Sequence, residues 1–317
     1  MEPAMPPSVE QTLARLSNPD KPLQNSWLAD LSSLNSAELK LLEQAWETIE
    51  PKRRRQIIYR LVELTEDNFE FDFDNIFKGR LKDKDAEVRS KAIEGLWENE
   101  EASLIDLLID LLEQDSSEKV QAAAATALGK FALLAELEKL RPSHKAKISR
   151  SLLAVINDKS KPVEVKRRAL EAAAPLTLPK MKRAIAEAYQ SGEHGLRISA
   201  LFAMGKSCNS SWLLILLKEL SSADAEIRYE AAGACGELGE EEAASYLAEL
   251  VNDPDIDVRL AAIQALGKIG GPEAKGCLEK CLNNPNEAIQ EAAEQALRQL
   301  EAEEEPLFFE IENYGED

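Results

Sequence analysis

Histidine is almost missing from this chain of 317 residues: the two present, His144 and His194, lie far apart. Cysteine is scarce as well, with Cys208, Cys235, Cys277 and Cys281 only. Metal centres and activated nucleophiles draw heavily on these two residue types, so the sequence holds little material for either. No Ser-His-Asp, Cys-His, GxxxxGK or GxGxxG constellation appears. Cys277 and Cys281 stand four apart, on one face of a helix, but a zinc site would need further Cys or His nearby. The expectation is reduced core thiols, no metal and no cofactor, in a cytoplasmic protein.

Other shortages narrow the class. Aromatics are 5% of residues, low for a chain built on large sheets. No run of 18 apolar residues exists, and the densest short stretch, 212–217, is too short to cross a bilayer. The opening Met1-Glu2-Pro3-Ala4-Met5-Pro6-Pro7 lacks the basic and apolar regions of a signal peptide. Positive charge is outnumbered, 38 Lys and Arg against 58 Asp and Glu, for a net charge of −20. Such a chain is repelled by polyphosphate, which argues against general nucleic-acid or anionic-membrane binding. With 44% apolar residues, the composition points to a helical protein.

What is abundant is regularity. Val88, Val120, Val165, Leu196, Ile227, Val258 and Ile289 serve as anchors, and the last four steps between them are each 31 residues. The residue after each anchor is long and polar: Arg89, Gln121, Lys166, Arg197, Arg228, Arg259, Gln290. Four residues on, every unit has alanine, from Ala92 to Ala293, and seven on every residue is Gly or Ala. Five before stand Asp83, Asp115, Ser160, Ser191, Ser222, Asp253 and Asn284. Offsets 0, 4, 7 and 8 share one face of a helix. Asp85, Ser117, Asp224, Asp255 and Asn286, three before their anchors, are the expected N-caps, since a side-chain oxygen there can accept from the free first-turn N–H groups. Gly129, Gly205, Gly239 and Gly270 read as helix ends, and a second, bulkier apolar helix follows each. Antiparallel pairs of this kind cannot bury their faces alone, and stacking them makes a solenoid. Small residues on the anchored helices let that side of the stack close up, which predicts a curve with the anchored helices on the inner wall.

The stretch Asp253-Pro254-Asp255-Ile256-Asp257-Val258-Arg259-Leu260-Ala261-Ala262 resembles a HEAT repeat, and more narrowly the short bacterial type named after the phycobilisome lyases. The resemblance covers about 57–300. It implies an all-α fold, a curved α-α superhelix of about eight helical hairpins with a helical N-terminal cap. It also implies a ladder of loop Asp and following Arg along the stack, matched by Asp83/Arg89 and Asp253/Arg259 and departed from at Gln121 and Gln290. Members of the family include adaptors, assembly factors, chromophore lyases, a DNA glycosylase and a diiron hydroxylase, so the fold names no single function. Two histidines exclude the diiron ligand set on count.

The chain divides as 1–22, a proline-rich arm expected to be mobile; 23–80, a helical cap and divergent repeat; 81–300, the repeat array; and 301–317, an acidic tail. Phe69, Phe71, Phe73, Ile76 and Phe77 are expected in the core of the cap. The 45-residue step between Val120 and Val165 predicts an insertion near 133–147, read as a hinge or long loop. The tail sets Leu307, Phe308, Phe309 and Ile311 among eight acids, which suits either a cap on the last repeat or a docking motif.

Two surfaces are candidates for function. Offsets 2 and 6 should point into the groove, and there Ile198, Phe202, Tyr229 and Leu260 form an apolar stripe suited to an amphipathic partner helix. Between 139 and 183 thirteen basic residues accompany three acidic ones. Lys166, Arg167, Arg168, Lys180, Lys182 and Arg183 are its candidate anion patch, with the alternatives of a solvated face or a dock for the tail. The reading is a non-enzymatic scaffold with a protein partner and without membrane, nucleic-acid or small-molecule ligand. A chromophore-lyase-type or assembly factor is the alternative.

Overall fold

In a computed structural model of the chain, residues 8–304 are described, with side chains to 302. All regular structure among them is helical: α1 (Val9–Leu16), α2 (Asn25–Ala29), α3 (Ser36–Thr48), α4 (Pro51–Asp67), α5 (Asp74–Arg80), α6 (Ala86–Gly95), α7 (Ser103–Gln114), α8 (Glu118–Glu136), α9 (Pro142–Asn157) and α10 (Val163–Ala173), then α11 (Pro179–Tyr189), α12 (His194–Lys206), α13 (Leu213–Glu219), α14 (Ala225–Leu238), α15 (Ala244–Leu250), α16 (Ile256–Ile269), α17 (Gly271–Cys281) and α18 (Glu287–Glu304). Short 3-10 turns lead into α13 and α15. The chain forms two compact units, one ending at Ala173 and one beginning at Ala174. Each is an α-α solenoid. In the first, α4, α6, α8 and α10 pack side by side, backed by α5, α7 and α9; in the second, α12, α14, α16 and α18 form the layer, backed by α11, α13, α15 and α17.

The anchors sit at the centre of these layers. All seven are buried, and the alanine four residues after each is 0% exposed in every repeat. Burying a Val, Leu or Ile contributes roughly 1.5–3 kcal/mol each, and the alanines let adjacent helices approach. Asp85, Asp224, Asp255 and Asn286 accept first-turn N–H bonds as expected. Ser117 does not; there Asp115 accepts from Ser117 N instead.

The loop residue five before the anchor does two jobs. Asp83, Asp115, Asp253 and Asn284 each accept from the backbone N–H two residues on, which shapes the turn. In three places the carboxylate also receives the arginine of the preceding repeat: Arg54 on Asp83, Arg89 on Asp115 and Arg228 on Asp253. Arg89 and Arg228 are bidentate and also donate to their own loop carbonyls, Asp83 and Ser222. Gln121 and Gln290 donate to their loop carbonyls but reach no carboxylate of the next loop, and Gln121 Oε1 accepts from Lys161. Arg259 departs from expectation. Its Nε is buried without a partner, because the next loop offers Asn284 where the other rungs have Asp. Arg197 turns to the backing layer and meets Glu219 at 2.7 Å.

Several expectations need correction. The segment 1–22 is not simply an arm, since α1 buries Leu13 and Leu16 and Arg53 Nε donates to the Leu16 carbonyl. The segment 133–147 is not a long loop: the extra length is taken up by α8, at 19 residues, and α9, at 16, with Pro142 at the first turn of α9. Proline there loses no helix bond and already has the right φ. Phe73, Ile76 and Phe77 are core, but Phe69 is exposed. Gly129 lies inside α8 and Gly205 inside α12; only Gly239 and Gly270 end helices, with φ of 69° and 71°. Helix α18 runs to Glu304, past the start of the acidic tail, whose residues 305–317 lie outside the described residues.

The cysteines are all free thiols. Burial pushes Cys235 up to about 12 and Cys281 up to about 11, while Cys208 is exposed. Native protein treated with an aromatic disulfide reagent should therefore release one equivalent quickly. Cys235 and Cys281 should react only at the rate of unfolding. Fast release of three or four equivalents would contradict this packing.

Candidate functional site

Offsets 6 and 10 of α12 and offsets 2, 6 and 10 of α14 and α16 line the outer side of the second unit's anchored layer. Tyr229 is 45% exposed there, and Phe202 and Leu260 are half-buried. A recess of about 250 Å³ opens between the three helices, with Phe202 and Tyr229 on its walls and Gly233, Ala261 and Gln264 beside them. Gly233 adds depth, because nothing lies within 4 Å of where its side chain would be.

Two of the four stripe residues fall elsewhere. Ile198 is 7% exposed and belongs to the core. Helix α12 is apolar around most of its circumference, burying Leu196, Ile198, Leu201 and Met204, so its offset 2 is covered as well. Leu260 is half-buried and does not line the recess.

A charged ladder missed by the sequence reading borders this recess. Offset 10 carries Lys206, Glu237 and Lys268, and Glu237 receives both ammonium groups at 2.8 and 2.5 Å. Burial works against the Glu237 carboxylate, but the two lysines outweigh it and hold its pKa below the usual range. Lys206 Nζ also stands 5.9 Å from the Phe202 ring centre. The alternating charge at a 31-residue spacing was the available signal.

The basic run is divided. Lys166, Arg167 and Arg168 are half-buried on α10, in the first unit; Lys180, Lys182 and Arg183 are exposed on α11, in the second. Arg167 and Arg168 pair with Glu164, and Arg168 also with Glu171, at 2.8–2.9 Å. Arg183 pairs with Glu187 at 2.7 Å. Lys145 and Lys147 meet Glu136 and Asp106, and Lys161 donates to the carbonyls of Leu112 and Glu113. Much of the expected patch is thus neutralised by neighbouring carboxylates or spent on carbonyls. A charge count along the sequence could not reveal this, because partners such as Glu136 and Asp106 lie before the run.

The family model for HEAT repeats matches residues 74–147 and 213–298, about half of the chain. The chain belongs to the HEAT-repeat family. Among curated proteins none matches. Solved structures similar to this HEAT-repeat protein include the E. coli protein YibA, at 17% identity over 90% of this chain and 98% of that one, TM-score 0.49. Human deoxyhypusine hydroxylase in complex with glycerol is similar at 20% identity over 93% and 96%, TM-score 0.36. A designed armadillo repeat protein in complex with the peptide (KR)4 is similar at 21% identity over 62% and 99%, TM-score 0.42. Similarity this distant bears on no activity. Among the described residues of this HEAT-repeat protein, no three His, Cys, Asp or Glu side chains are placed to share a metal ion, and no helix is long and apolar enough to cross a membrane.

Proposed function

We propose that this HEAT-repeat protein is a non-enzymatic cytoplasmic scaffold that holds a partner polypeptide against the anchored layer of its second unit. The observation that carries the reading is the exposed ring of Tyr229 beside half-buried Phe202, over a recess that the repeat's packing does not need. An aromatic with apolar surroundings and a charged border is the anatomy of an interaction hot spot. The Lys206–Glu237–Lys268 ladder gives that border both signs of charge, so the partner is expected to carry polar groups around an apolar anchor. Four free thiols fit a reducing compartment.

The test uses the full chain and its Tyr229→Ala variant, which removes an exposed ring and is expected to leave the melting temperature within a degree or two of wild type. Affinity purification with mass spectrometry should recover a partner with the wild-type chain and lose it with the variant. A partner retained equally by Tyr229→Ala and by Phe202→Asp would remove this surface from the account.

A further inference from the structure

In the first unit, the repeat breaks its own packing rule at Trp97. Nine residues after the anchor, α8, α12, α14 and α16 carry Gly129, Gly205, Gly236 and Gly267, each closing against the alanine seven after the next anchor. At the same position after Val88 stands Trp97, which is 53% exposed. Helix α6 has already ended at Gly95, and an indole cannot nest where a glycine does. A recess of about 330 Å³ opens instead between α6 and α8, walled by Ile93, Leu96, Trp97, Ala127 and Phe131. Lys130 keeps it open: from α8 its ammonium donates to the carbonyls of Leu96, Trp97 and Asn99, tying down the end of α6.

Trp97 also walls a second recess, of about 230 Å³, on its other side. There the rings of Phe69 and Phe71 stand beside Asp72, Asp74 and Glu98. Phe69 is 76% exposed. Aromatic faces beside carboxylates attract a cation. The nearby cation, Lys130, is engaged with the carbonyls of Leu96, Trp97 and Asn99.

We propose that Trp97 divides a two-compartment docking site for a basic polypeptide segment, a bulky apolar side chain entering between α6 and α8 while an adjacent Lys or Arg lies against Phe69, Asp72 and Glu98. This surface is separate from the one around Tyr229. Charge decides the occupant. The chain's own tail is apolar enough to fill the first compartment, but from Glu301 to Asp317 it holds eight acids and no base, and the carboxylates of the second would repel it.

Fluorescence anisotropy with the full chain tests this, using three labelled peptides of equal length built from Lys and Leu, Lys and Ser, or Glu and Leu. The Lys/Leu peptide should bind at least about tenfold more tightly than either twin. Trp97→Ala should lose that preference. Asp72→Asn/Glu98→Gln, exposed changes that leave the fold alone, should weaken binding about tenfold and flatten its salt dependence. Tyr229→Ala should bind as wild type does, which separates this site from the scaffold surface. Equal binding of the three peptides, no binding of the Lys/Leu peptide, or full affinity in both Trp97→Ala and the double variant would overturn the proposal. So would tighter binding after deletion of residues 305–317, since the tail would then be the occupant, or a concentration-dependent dimer abolished by Trp97→Ala.

Discussion

Gly236→Ala is expected to destabilise the protein by about 1–3 kcal/mol, the usual cost of forcing an extra methyl into a packed interface. A methyl at Gly236 would meet the Ala265 Cα at 2.7 Å and its Cβ at 2.9 Å. The first of these is backbone, so no rotamer change relieves the clash and α14 must move away from α16. Gly233 lies three residues earlier in the same helix with nothing within 4 Å of the same point. Gly233→Ala should therefore stabilise by roughly 0.5–1 kcal/mol, because alanine loses less backbone entropy in a helix. Denaturant unfolding of the two variants gives opposite signs if the glycine column is a packing device. Equal effects would mean that helix propensity alone governs both positions.

Asp253→Ala is expected to cost about 3 kcal/mol, in the range for stranding one partner of a buried ion pair. The Arg228 and Asp253 side chains are 12% and 7% exposed, and the pair is bidentate at 2.7–2.8 Å. Removing the carboxylate leaves the guanidinium with only the Ser222 carbonyl and strips the turn of its acceptor for Asp255 N. Asp253→Asn keeps an oxygen for the turn and should cost less. The exposed Arg183–Glu187 pair is the contrast: Glu187→Ala should leave stability essentially unchanged, since solvent screens the pair.

The same pair sets a pH dependence. The hydrogen bond from Arg228 holds the Asp253 carboxyl below its ordinary pKa. A carboxylate depressed in the folded state stabilises the fold above its unfolded pKa, about 3.9 for Asp. That contribution is lost as pH falls through the folded value. Wild type and Asp253→Asn should therefore differ most at neutral pH and converge in acid. A gap that stays constant from pH 7 to pH 2 would show that the charge of Asp253 does not matter.

The fold was legible because its repeating unit is short and strict. Anchors such as Val165 and Leu196, 31 residues apart, face the core in each repeat, and an alanine four residues on has one physical use there. Caps were legible for the same reason: Asp85, Asp224, Asp255 and Asn286 act on backbone two or three residues away. Lengths were less legible. The extra residues between Val120 and Val165 could have gone into a loop or into longer helices, and only the burial of Phe131, Leu134 and Ile148 explains why they became α8 and α9.

The sites were legible only in outline. Offset counting placed Tyr229 and Phe202 on the open side but put Ile198 there too, since it assumes that every helix is covered over the same arc. Arg167 and Arg168 looked free because nearby glutamates in the same helix were weighed only as a count. The meaning of the glycines waited for the fold. Gly129 and Gly205 look like stop signals in one dimension, and their partners Ala172 and Ala234 come into view only when neighbouring repeats are stacked.

By itself, then, the sequence determined the helical pairs, their period, their caps and the small side chains that let them stack. Each of these depends on interactions along one helix or across one turn. Tertiary structure decided which charges are spent and which are free, which apolar side chains remain uncovered, and what opens where an oversized residue such as Trp97 stands in a glycine's place. Those outcomes depend on what a neighbouring repeat presents at contact distance.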